Sequence, residues 1–152
     1  MHNYRNLLVA VDFSNHSEQA VARAKQMAQV YSAELTLIHV AEVPTYPVLE
    51  DVAITGMPGI WDEELGDKIR EAAEKRLHKM AEEAGVEVKA CKVLTGVARV
   101  EVVDFAKQIN ADLIVIGRRG LSGLQRLIGS TADAILHDAA CDVLAVKIDE
   151  GE

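Results

Sequence analysis

Apolar residues in this chain come in short, nearly unbroken runs, separated by stretches with a slower rhythm. "NLLVAVD" (6–12), "ELTLIHV" (34–40), "DLIVIG" (112–117) and "DVLAVKI" (142–148) each read as a strand covered on both faces. "VEVKACKVL" (86–94) alternates instead, which predicts a further strand nearer a sheet edge. The stretches between them follow the period of helices. After the first strand, Ser14 or Ser17 offers an N-cap, and Ala20, Ala24, Met27, Ala28 and Tyr31 share one helical face. Asp62 to Ala84 reads as a long amphipathic helix with Ile69, Ala73, Leu77, Met80 and Ala84 inward and Gly85 at its C′ position. Its alternating acids and bases mark a solvated face. "ARVEVVDFAKQI" (98–109) turns Val100, Val103, Phe105 or Ala106, and Ile109 inward, and "STADAILHDA" (130–139) is a short helix opened by Ser130 and Thr131.

Strands that alternate with helices predict one α/β domain over residues 1–152, with a mainly parallel sheet covered on both faces. Residues 41–61 interrupt the alternation. They hold all three prolines and two glycines, so they read as a long irregular connection of the kind used for lids or interfaces.

Composition narrows the classes of function. A hydrophobic share of 49% with 26% charged residues is that of a soluble globular protein, and the longest apolar runs are too short to cross a bilayer. The start "MHNYRNLLVAVDFS" lacks the basic lead and long apolar stretch of a signal peptide, which points to the cytoplasm and away from a membrane. A net charge of -8 and a pI of about 5.1 disfavour nucleic acid as a general partner. Cys91 and Cys141 form no CxxC and read as buried thiols. The five histidines form no HxxxH or HxH pair, so a metal centre has little support.

One stretch departs from the acidic whole. From Leu113 to Ala132 the only charged residues are Arg118, Arg119 and Arg126, so this stretch is locally positive. In open parallel sheets, ligands bind beyond the carboxyl ends of the strands, here Asp12 to Ser14, His39 to Ala41, Thr95 to Val97, and Gly117 onward. Gly117 closes a strand, and Gly129 precedes a helix whose amino end adds partial positive charge. Phosphate is the economical ligand. A glycine-rich turn that merely joins strand to helix, with arginines facing water, satisfies the same residues. The pattern is neither a Walker A loop nor a GxGxxG after the first strand.

"NLLVAVDFS", "LIHV", "ADLIVIGRRGLSGL" and "GSTADAILHDAACDVLAVK" together resemble the universal stress protein family over essentially the whole chain. The resemblance implies a doubly wound, five-stranded parallel sheet of order 3-2-1-4-5, a homodimer, and membership of the branch that binds ATP or AMP. That branch carries Gly, two residues, Gly, a spacer, then Gly-Ser or Gly-Thr. Gly117, Gly120 and Gly129-Ser130 supply it here, with a spacer one residue shorter than usual. Carried over by position, Ala10, Val11 and Asp12 would end the first strand at the ligand, with Asp12 near the ribose or holding Mg²⁺ beside phosphates. Val40 would meet the adenine edge through its backbone, while His39 beside it reads as a packed residue. Ile116 and Gly117 would underlie ribose and phosphates, Arg119 and Gly120 would flank them, and Gly129, Ser130 and Thr131 would bind phosphate.

Phosphoryl transfer needs a metal, a charge clamp and a group that orients the nucleophile. No second carboxylate has sequence support, so the expectation is a nucleotide-binding stress regulator with at most slow ATP hydrolysis. The alternative is a stress scaffold that binds no nucleotide and acts as a dimer through protein partners. That branch generally loses the glycines kept here. A flavoprotein on a similar sheet fares worse, since aromatic residues make up only 4%. The apolar last strand, "DVLAVKI", is the edge through which a dimer would pair.

Overall fold

A computed structural model describes residues 3–13, 17–42, 63–87, 91–119 and 130–148. Five strands, β1 (Asn6–Val11), β2 (Glu34–Ala41), β3 (Cys91–Thr95), β4 (Leu113–Arg119) and β5 (Asp142–Ile148), form one parallel sheet of order β3-β2-β1-β4-β5. The helices are α1 (Ser17–Tyr31), α2 (Glu63–Ala84), α3 (Ala98–Gln108) and α4 (Ser130–Asp138). The doubly wound α/β expectation holds, with its strand order.

Alternation along β1 divides the core in two. Leu7, Val9 and Val11 face α1 and α2, packing with Ala20, Val21, Ala24, Leu77 and Ala81. Leu8 faces the other way, with Ile38, Ile114 and Ile116, against Val102, Phe105 and Ala106 of α3 and Ile135 of α4. Both sheet faces are therefore covered, which is why the strand sequences read as unbroken apolar runs.

The helices were predicted correctly in place and less well in phase. In α1, Val21 is buried, Met27 is only half-buried, and Tyr31 is exposed, set edge-on to Tyr4. In α2 the stripe runs through Ala73, Leu77 and Ala81, while Ile69 remains 39% exposed because it lies beyond the part that covers the sheet. In α3, Val102, Val103, Phe105 and Ala106 face inward and Val100 is exposed, so the predicted stripe is shifted. Gly85 ends α2 as expected, at φ +71°. Its N–H donates to the Glu82 carbonyl and that of Val86 to the Ala81 carbonyl, which is the Schellman arrangement. That bond corrects the third strand, expected from Val86: Val86 belongs to the helix terminus, Glu87 is outside any strand, residues 88–90 lie outside the described residues, and the described pairing with β2 runs from Cys91 to Thr95.

Candidate functional site

Right-handed crossovers leave β1 toward β2 on the α1 face and β4 toward β5 on the α4 face. A crevice therefore opens between the carboxyl ends of β1 and β4, the position where such sheets bind ligands. Ala10 pairs with Ile116 in this register, which sets Val11 beside Gly117 and carries Asp12 past the sheet edge. Val40 lies one residue beyond the Val11–His39 pair on β2, level with Asp12. The structure thus brings together Ala10, Val11, Asp12, Val40, Ile116 and Gly117. Arg119 ends β4, and Ser130 and Thr131 open α4, whose amino end lies at the carboxyl side of the sheet. Gly120 and Gly129, like Ser14, lie outside the described residues.

Local hydrogen bonds set the exit of β1. Asp12 is exposed; its carboxylate accepts the Ser17 hydroxyl at 2.8 Å, and its N–H donates to the same oxygen at 3.3 Å. Ser17 is buried as the first residue of α1, so it ties strand end to helix start. Phe13 follows at φ +62°, a left-handed conformation that costs a non-glycine residue roughly 1–2 kcal/mol. Its ring stacks on the His39 imidazole, with centroids 4.0 Å apart and planes at 28°. The Arg76 guanidinium of α2 sits 4.5 Å from the same centroid and donates to the Phe13 carbonyl at 3.4 Å. His39 is half-buried with Nδ1 2.8 Å from the Val11 carbonyl oxygen. A carbonyl only accepts, so Nδ1 carries the proton. The packing role read for His39 is the one it fills.

Phe13 and Arg76 were not singled out in the sequence. Arg76 lies on a helix face dense in charge, and nothing local distinguishes it from solvated neighbours. Glu42 was missed too. Its Oε1 accepts the Ala98 N–H at 3.2 Å, while the N-cap residue Val97 makes no side-chain cap. The positive end of α3 is thus met by the protein's own carboxylate.

Neither cysteine suits nucleophilic chemistry. Burial pushes the Cys91 thiol up, and burial followed by the charges of Asp142 and Asp112 does so for Cys141. Both thiols are free and half-buried rather than buried. A hydrogen bond to Asp142 at 2.7 Å, then burial, pushes the Tyr4 hydroxyl up to about 12, at the opposite end of the strands.

A family model for the universal stress protein family matches residues 3–147. The chain belongs to that family. Universal stress protein A homolog 1 of Coxiella burnetii is 37% identical over 149 residues, spanning 97% of this chain and 99% of that protein. Universal stress protein MJ0531 of Methanocaldococcus jannaschii is 36% identical, over 95% of this chain and 82% of that protein. Among solved structures, MJ0577 shares the fold at a TM-score of 0.74 and 22% identity, covering 99% of this chain and 100% of its own. A universal stress protein crystallised in complex with cAMP superposes at a TM-score of 0.64 and 25% identity, over 97% and 100% of the two chains. No helix among the described residues is long and apolar enough to cross a membrane.

Proposed function

We propose that this universal stress protein is a cytoplasmic regulator that binds an adenine nucleotide, ATP or AMP, across the carboxyl ends of β1 and β4. The observation that carries the reading is the β1–β4 register, which sets Val11 beside Gly117 where β1 gives way to Asp12, with three arginines and no carboxylate between Gly117 and Asp133. The likeness to a family member that holds cAMP supports the same ligand class. Val40 meets the adenine edge, Asp12 the ribose, and Ile116 and Gly117 the ribose and phosphates. Arg119 and Gly120 flank the phosphates, and Gly129, Ser130 and Thr131 close on them through N–H and hydroxyl groups. Mg²⁺, where it takes part, is shared between the phosphates and Asp12, since Mg²⁺ needs only one or two carboxylates when phosphates supply the rest. Among the described residues no group of three His, Cys, Asp or Glu side chains could hold a metal by itself. With Asp12 as the one carboxylate assigned to the site, slow hydrolysis at most is expected.

Calorimetric titration of nucleotide-stripped protein with ATP, AMP and cAMP, with and without Mg²⁺, tests this. Micromolar binding is expected, and its loss in a folded Gly117→Val/Gly129→Val variant. A well-folded, stripped protein that binds none of the three would overturn the proposal and give the lead to a scaffold acting through protein partners.

The same proposal makes the protein a homodimer through β5. Among the described residues this strand is an edge of the sheet, and pairing with a second copy removes the liability of an open edge. Light scattering at micromolar concentration is expected to give twice the 16.5 kDa chain mass. A monomeric mass rejects it.

A further inference from the structure

We infer that Arg76, on α2 and outside the crevice, is a positioning residue for the nucleotide site, acting through Phe13 to aim Asp12. The inference rests on the nucleotide reading above and adds a residue to it. His39 and Arg76 both pack on the Phe13 ring, 4.0 and 4.5 Å from its centroid, so the ring is held by two elements at once. The bond from Arg76 to the Phe13 carbonyl fixes the peptide on the far side of that residue. On the near side, the Val11 carbonyl accepts from His39. Asp12 is thus bracketed: the residues before and after it are each held by a side chain from a different element, β2 or α2.

Phe13 needs such holding. Its φ of +62° is one that residues with a Cβ rarely adopt, and without these contacts the turn has extended alternatives. A relaxed turn re-aims the Asp12 carboxylate even with Ser17 in place. Arg76 suits the task because a planar guanidinium can stack on a ring and donate a hydrogen bond at once, whereas an ammonium is a point charge. Exposed on the outer helix, it links the orientation of α2 to the geometry of the crevice.

The test is ATP affinity, by calorimetry, in a cycle of wild type, Arg76→Gln, Asp12→Asn and the double variant. Arg76→Gln is expected to weaken ATP about tenfold, and to add nothing once Asp12 is already Asn. Arg76→Lys, which keeps the charge and loses the planar guanidinium, should resemble Arg76→Gln. Equal affinity of Arg76→Gln and wild type would overturn the inference. So would an equal loss in both Asp12 backgrounds, which would mean that Arg76 acts on the ligand by its own charge. Absence of ATP binding by the wild type is a different failure, that of the nucleotide reading itself. Because Arg76 is exposed on a helix, glutamine there leaves the fold intact, and the thermal midpoint of each variant checks it.

Discussion

Shortening Leu77 to alanine is expected to lower the unfolding free energy by about 2–5 kcal/mol. Leu77 is fully buried where α2 crosses β2 and β3, and its neighbours on the same stripe are Ala73 and Ala81. Alanines on either side cannot lean in to fill the space, so the lost methyl groups leave a cavity as well as a transfer cost. Ile69, two turns earlier on the same helix, provides the comparison. It is 39% exposed, and Ile69→Ala should cost about 1 kcal/mol or less. Urea denaturation of the two variants reads the difference directly. Similar losses would mean that the amino-terminal half of α2 is packed as tightly as its centre, contrary to the exposure of Ile69.

That pair of residues also shows what a local pattern can and cannot tell. The helical period of α2 places Ile69 and Leu77 on one stripe, and nothing in the sequence says where along the helix the sheet beneath it stops. β3 fails for a related reason. Its alternation extends back to Val86, but the Val86 N–H is taken by the Ala81 carbonyl at the end of α2, which a local pattern does not reveal. The four continuous runs were easier to read, because cover on both faces requires apolar side chains at every position. The end of β1 and the position of the crevice could be placed from sequence, since they follow from parallel topology, but β4 does not close at Gly117 as expected and stays paired with β5 to Arg119. The cluster of Phe13 with His39 and Arg76 could not be placed. It depends on residues 26 and 63 positions away, and neither His39 nor Arg76 differs locally from a packed histidine or a solvated arginine.

The largest polar effect is expected at Asp112, at the opposite end of the strands from the crevice. Its carboxylate accepts the Arg5 N–H at 2.8 Å and the Asn6 N–H at 3.1 Å, and its own N–H donates to the Asn6 carbonyl at 2.9 Å. Asn6 in turn donates from its side chain to the Ile109 carbonyl at 3.1 Å, so the entries of β1 and β4 are clamped together. Asp112→Ala removes two charge-assisted bonds and should cost about 1.5–3 kcal/mol. Arg5 is exposed and its N–H can turn to water, whereas that of Asn6 is half-buried and loses more. Asp112→Asn keeps the size but puts an NH₂ donor against one of the two N–H groups, so it should recover less than half of the loss. Chemical denaturation ranks the three proteins: full recovery by asparagine would mean that a single acceptor suffices and the second bond contributes nothing. ATP affinity should be unchanged in folded Asp112→Ala, because roughly 20 Å of β1 separates this clamp from Asp12. A weaker affinity at full folding would mean that the clamp sets the β1–β4 register that puts Val11 beside Gly117, and that the crevice is held from the far end of its own strands.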